Sequence, residues 1–348
     1  MKRAVRRWLL SGCILLSGCM SPVALNQAVM AYDEAASTAL SRQLLLNIAR
    51  ARQHLPMHFT AIANIAATFN FQFNAGVSPA LTGNQGGLLA PLLGTSVAEN
   101  PTISIMPVEG EEFTRRFLTP LGSDRIILLL RQGYDVDMLL RLVASELHLE
   151  TGDTEQIYHN RPKIRTEYPV FRQAVLHLST IQDRNALHVD PLTAILTNYD
   201  PAQLTQNQRT AWNDWARTGN SDEIRLDIRA EYPGGEYPIR GYLRLRSFYS
   251  LLNFVGGDTG EEQEYPVGPD ARSPDVSENP VHALAVLEDH GEDCDPEVGI
   301  RLNGHQYCLA RSRTSFWNRE AFRVIHQLLQ MTVTHLPRDT GPNITIAK

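Results

Sequence analysis

The sequence has no stretch near its N-terminus long enough for a membrane-spanning helix. The apolar run at residues 8–16 falls well short of the roughly 20 residues a spanning helix needs. Familiar catalytic signatures are missing too: there is no GxSxG elbow, HExxH, CxxC, Walker A loop or GxGxxG after a strand. An enzyme reading therefore requires a site assembled from distant residues, and no catalytic residue is assigned. Metal spacing is absent among His148, His159, His177, His188, His282, His290, His305, His326 and His335. His54 and His58 stand four apart, but Pro56 between them breaks the helical face such a pair needs. The run Glu288-Asp289-His290-Gly291-Glu292-Asp293, with Asp295 and Glu297, offers oxygen ligands for calcium but lacks the alternation of an EF-hand loop. It reads as a solvated acidic face, and no metal or cofactor is expected.

Cysteine is scarce, at 4 residues, and each has a place. Lys2, Arg3, Arg6 and Arg7 precede the apolar stretch, as in a secretory signal. Leu16-Ser17-Gly18-Cys19 looks like the lipobox of bacterial lipoproteins, in which the cysteine is acylated (palmitate-type chains) and becomes the new N-terminus. The competing Leu10-Ser11-Gly12-Cys13 leaves only Trp8, Leu9 and Leu10 as an apolar core. A signal over residues 1–18 with lipidation at Cys19 is expected. Each buried methylene contributes about 0.8 kcal/mol, and stable anchoring takes more than one chain. Met20 stands where an inner-membrane retention aspartate would be, so the resemblance implies the outer membrane, with a periplasmic body. Cys294 and Cys308 remain as a disulfide pair for an oxidising compartment.

Positive charge is also in short supply once the signal is gone. Losing four basic residues takes the formal net charge from −6 to −10, so nucleic acid is not an expected partner. The expected partners are the membrane, through the N-terminal lipid, and protein: another subunit or a second copy.

Along the chain, Leu25, Val29, Tyr32, Ala36, Leu40, Leu44, Ile48, Ala51 and Leu55 form one stripe of a long amphipathic helix ending before Pro56. The period then changes to two. Phe69, Phe71 and Phe73 alternate with Asn70, Gln72 and Asn74, and Thr102, Ile103 and Ser104 continue the alternation in a second strand. The stretch between, residues 76–100, is uncharged until Glu99 and reads as a long loop.

Three arrangements suit that hairpin. It is an edge pair with its loop packed on the body; or, from several subunits, residues 57–107 close a membrane barrel with Phe69, Phe71 and Phe73 toward lipid; or Leu88, Leu89, Leu92 and Leu93 contact a partner or lipid.

Short helices follow at residues 109–117 and 123–132. Residues 136–149 are apolar on one side and are either helix or strand. Residues 151–166 read as an irregular boundary. A helix carries Phe171, Val175 and Leu178. Asp200-Pro201 starts another, with Trp212 and Trp215 in the core. Ile224, Leu226 and Ile228 mark a half-buried strand, Leu245 to Val255 a helix, and residues 258–280 a surface loop. Asn303-Gly304 is a strong hairpin signal, followed by a helix with Phe322, Ile325 and Leu328 and a last strand through Ile344 and Ile346.

Gln43-Leu44-Leu45-Leu46-Asn47-Ile48-Ala49-Arg50-Ala51-Arg52 with Pro56, then Pro101-Thr102-Ile103, Pro107, Gly110-Glu111, Phe113, Arg116 and Leu118-Thr119-Pro120, resembles an uncharacterised family of bacterial outer-membrane lipoproteins. The likeness is densest over residues 40–141. It implies location and a single-family architecture, and no activity comes with it. The expected fold is α+β: a long N-terminal helix and further helices on a mainly antiparallel sheet, in segments 19–150 and 167–348 packed as one body. The expected function is that of a non-enzymatic structural or assembly component of an envelope complex. A homo-oligomeric pore built from residues 57–107 and a periplasmic hydrolase with an unrecognised site are the alternatives.

Overall fold

The computed structural model describes residues 20–79, 89–152, 154–289, 293–311, 316–333 and 344–347. The fold is α+β, and its contacts divide into two units. The first comprises Met1–Ala39, His58–Val108 and Arg338–Lys348, and the second Leu40–Met57 and Glu109–Pro337.

Helix α1 runs over Met20–Arg52. Within the second unit its stripe is buried at Leu44, Ile48 and Ala51, and the neighbouring Leu45 and Ala49 are buried with it. The stripe does not stay buried throughout, since Val29 is 54% exposed. The helix end is held by Arg52, which donates to the carbonyls of Gly256 (3.3 Å) and Val286 (3.1 Å). Gly256 is required there: a Cβ would stand 2.8 Å from both Ala51 Cβ and the Ile48 carbonyl.

The first unit is built on a ribbon of two strands, β1 (Phe59–Pro79) and β2 (Leu89–Val108). They pair antiparallel along their whole length, with one irregularity between Ile62 and Asn64. The described parts of the loop expected over residues 76–100, residues 76–79 and 89–100, are therefore strand, and residues 80–88 lie outside the described residues. The lack of charge in those parts marks an extended, two-faced segment, and their prolines do not interrupt the pairing.

In the second unit, α2 (Glu111–Leu118), α3 (Ser123–Arg131) and α4 (Val136–Val143) lead into β3 (Ala144–Thr151) and β4 (Thr154–His159). The apolar run at residues 136–149 is thus both helix and strand, joined without a loop. The Asn160 side-chain amide makes the join possible by donating to the carbonyls of Arg141 (2.9 Å) and Ala144 (2.8 Å), groups a helix end leaves unpaired. The stretch read as irregular holds β4, paired with β3.

Next come α5 (Tyr168–Asp183), the short strands β5 (His188–Asp190) and β6 (Ile195–Thr197), and α6 (Gln206–Arg217). Asp200-Pro201 begins only a single 3-10 turn; Thr205 and Gln208 form the capping box that starts α6. Trp212 is buried in a cluster with Ile195, Tyr199, Leu204 and Ala216, and Trp215 packs against it.

Strands β7 (Glu223–Ile228) and β8 (Ile239–Leu245) complete a six-stranded sheet of order β4-β3-β8-β7-β6-β5, antiparallel except between β6 and β7. β7 is buried on both faces, not one, because Arg225 and Asp227 find partners: Arg225 donates to Thr218, and Tyr199 and Arg229 both donate to Asp227.

Helix α7 (Phe248–Gly256) precedes a segment read as surface loop that nevertheless buries Glu264 and Val267. A second sheet, of order β10-β11-β9, contains β9 (Val286–Glu288), β10 (Cys294–Leu302) and β11 (His305–Ala310). Asn303 and Gly304 turn its hairpin with φ of 51° and 91°, the positive values a two-residue turn of this kind demands. The Cys294–Cys308 disulfide ties the same strands, with Cα atoms 5.5 Å apart. Helix α8 (Trp317–Val333) follows, and β12 (Ile344–Ala347) returns to pair with β2 in the first unit.

Candidate functional site

Chemistry is most sharply divided in the ribbon. Directly opposed residues of an antiparallel pair share a face, and each face repeats every second residue. One face carries Ile65 opposite Ile103, Ala67 opposite Pro101, Phe69 opposite Glu99, Phe71 opposite Val97, Phe73 opposite Thr95, and Ala75 opposite Leu93. The other carries Asn64 opposite Ser104, Thr68 opposite Asn100, Asn70 opposite Ala98, Gln72 opposite Ser96, and Asn74 opposite Gly94. One side is apolar apart from Thr95 and Glu99, and the other is mainly amide and hydroxyl. Over residues 59–108 Glu99 is the only Asp, Glu, Lys or Arg. Beyond it toward the tip, each strand continues for about ten residues, the length a membrane strand uses.

Beyond the four β2 residues that β12 covers, no described strand flanks the ribbon. An isolated two-stranded hairpin is marginally stable in water, and open strand edges invite pairing. Soluble edge strands are usually blunted by charge, proline or bulges; this ribbon has a single charge, Glu99, and relies on three prolines in β2 and one irregularity in β1.

The second unit holds a buried ionic cluster. Asp137 and Arg141 on α4 and Tyr168 and Arg172 on α5 meet Glu264 from the long loop. Glu264 accepts from Arg141 (2.8 Å), Tyr168 (2.8 Å) and the backbone N–H of Ala283 (2.6 Å). Arg172 pairs with Asp137 and donates to Asn279 (2.9 Å), while Arg141 also donates to the carbonyls of Pro280 and Val281. Burial opposes the charge on Arg141, but the carboxylates of Glu264 and Asp137 outweigh it and hold its pKa above the ordinary value. Nearby Arg246 has no carboxylate at hydrogen-bond distance, and burial pulls it down to about 9. These groups close a loop onto two helices. Each is engaged with protein, so the arrangement is a clamp.

On the six-stranded sheet, His148 places Nε2 2.9 Å from Glu146 and Nδ1 2.7 Å from Glu155, and stacks on Tyr242 with ring centres 4.4 Å apart. A hydrogen bond from Tyr242, then that from His148, holds Glu155 below its usual range.

Glu288, Asp289 and His305 bring ligand atoms within 4.8 Å of one another at the surface. His305 already contacts both carboxylates, at 3.2 and 2.8 Å, so an exposed ion-pair cluster accounts for the group.

Two clefts accompany these clusters. One, of about 500 Å³, lies between α3 and α8 around Tyr134, Arg323 and Gln327. The other, of about 490 Å³, gathers Ser123, Asn220, Glu223 and Arg225. Among their described lining residues there is no histidine or cysteine, so neither sets a hydroxyl beside an imidazole.

Of the residues singled out from sequence, Phe69, Phe71 and Phe73 share a face of β1, and Leu89, Leu92 and Leu93 fall within β2. Cys19 and Leu88 lie outside the described residues. Cys294 and Cys308 form the disulfide. The clamp was missed. Asp137 and Arg141, four apart on an otherwise apolar helix, carried a usable signal, whereas Glu264 carried none.

No protein family, characterised protein or solved structure matched this chain.

Proposed function

We propose that this chain is a lipid-anchored outer-membrane protein that inserts its β1–β2 ribbon into the bilayer and closes a barrel with ribbons from further copies of itself. The lipid on Cys19 brings the chain to the membrane, and the ring is its contribution to the envelope. The observation that carries the reading is the ribbon: two long paired strands, one apolar and one uncharged polar face, and about ten residues per strand beyond the last charge. Transmembrane barrels use this alternation, apolar toward lipid and polar toward the lumen. Closure into a barrel also removes the open edges that a solitary ribbon leaves.

Two substitutions on opposite faces test it. The lipidated chain in liposomes should form conducting oligomers. Phe71→Arg, on the apolar face, should abolish insertion, because a cation on the lipid side costs up to about 2–4 kcal/mol per copy, rising with depth toward the midplane, and the ring repeats that cost in every copy. Gln72→Lys, one residue away on the polar face, should still insert and shift ion selectivity toward anions. If Phe71→Arg conducts as well as the unaltered chain, or if the liposome-bound chain is monomeric and silent, the proposal fails.

A further inference from the structure

The outer edge of β2 is divided in a way the membrane reading alone does not require. Three prolines lie in the strand, Pro91, Pro101 and Pro107. Alternate residues of a strand present their backbone N–H to the same edge, and pairing along β2 runs without a skipped residue from Val108 to Leu89. The three positions share parity, so the missing donors all fall on one edge. Proline within a sheet belongs where its nitrogen faces away from the ladder. Given the continuous pairing with β1, that is the outer edge. β1 by contrast has no proline before Pro79.

The prolines leave two clear windows on that edge, residues 92–100 and residues 102–106. The second is taken. β12 pairs Ile344 with Ile105, Thr345 with Ser104, Ile346 with Ile103 and Ala347 with Thr102. The pattern of the ribbon passes into this third strand, isoleucine opposite isoleucine and threonine opposite serine. The first window has no described strand against it, and its length matches the roughly nine residues of a membrane strand.

We propose that the outer edge of β2 is partitioned: residues 92–100 receive β1 of a second copy, and the chain's own C-terminal strand β12 keeps residues 102–105 closed. This rests on the self-assembly reading above. β12 then acts as a collar. It fixes where pairing between copies stops and prevents the base of the ribbon from recruiting strands out of register, the hazard of any uncovered edge.

The test uses the full-length lipidated chain in detergent and in liposomes, with native mass as the readout. Val97→Pro removes one more donor from the outer edge and should raise the monomer fraction at least tenfold, while the melting of the second unit stays unchanged. Thr95→Pro, of the same parity, should do the same. Ser96→Pro, of opposite parity, removes a donor facing β1 and should reduce strand content itself. Deleting residues 344–348 should replace a single assembly size by a broad, larger distribution. If the unaltered chain assembles and is indifferent to Val97→Pro and Thr95→Pro, or keeps one size after the deletion, the partition is wrong and self-assembly stands. An unaltered chain that remains monomeric in liposomes removes both.

Discussion

Asp135 caps α4 by accepting from the backbone N–H of Met138 at 2.9 Å, yet its surroundings penalise its charge. Burial is the largest cause, and with Asp137 and Asp183 nearby it pushes the carboxyl from 3.8 up to about 6 against the help of that N–H. The folded form thus holds its proton more tightly than the unfolded chain does. The stabilisation linked to that proton is full below about pH 4, declines as pH rises, and is lost above about pH 6, a difference of about 3 kcal/mol. Asn caps helices as well as Asp does and carries no charge. Asp135→Asn is therefore expected to melt higher at pH 7.5, by roughly 2–4 °C per kcal/mol in a unit of this size. The advantage should shrink toward pH 4. Thermal scans of both proteins across that range check the sign, and a variant that melts lower at pH 7.5 contradicts the argument.

At the scale of elements, the β10–β11 hairpin is held twice, by its Asn303-Gly304 turn and by the Cys294–Cys308 bond. Closing a loop near 15 residues is worth about 3 kcal/mol in the chain-entropy model. Reduction should thus lower the melting temperature of the unaltered chain. The paired Cys294→Ser and Cys308→Ser variant should start lower and be indifferent to reductant; equal melting of the two chains without reductant would remove the bond from the stability of the fold. This hairpin was legible in sequence because its determinants are local: a dipeptide that accepts positive φ, and two cysteines in an expected oxidising setting. The α4–β3 join was not, because an apolar run reads alike in helix and strand, and Asn160, which settles it, lies well downstream. The ribbon was half legible. Alternation at Phe69, Phe71 and Phe73 declared a strand, whereas the stretch over residues 76–100, rich in glycine and proline and uncharged until Glu99, suggested a loop where long-range pairing makes strand of its described parts. The positions of the β2 prolines relative to β12 could be recognised only once the register was known.

For the whole molecule, location depends on where binding energy can come from. No described helix is long and apolar enough to cross a membrane, and the expected mature charge of −10, from −6 less four basic signal residues, opposes attraction to anionic headgroups. The proposal draws on two sources: acyl chains on Cys19, at about 0.8 kcal/mol per methylene, and the apolar face of the ribbon. They differ in what each needs. Acyl chains act on a single copy, whereas a ribbon in hydrocarbon must have its backbone edges satisfied, which takes several copies already gathered in the bilayer. In the proposed arrangement, lipid anchoring would supply that gathering by raising the local concentration of ribbons. Cys19→Ser is therefore expected to move the chain from the membrane to the aqueous fraction at low expression, with little change when salt is varied. Concentrated protein added to liposomes should recover part of the conductance. Membrane binding that survives Cys19→Ser at low concentration would show that the ribbon, or another segment, anchors the chain without lipid.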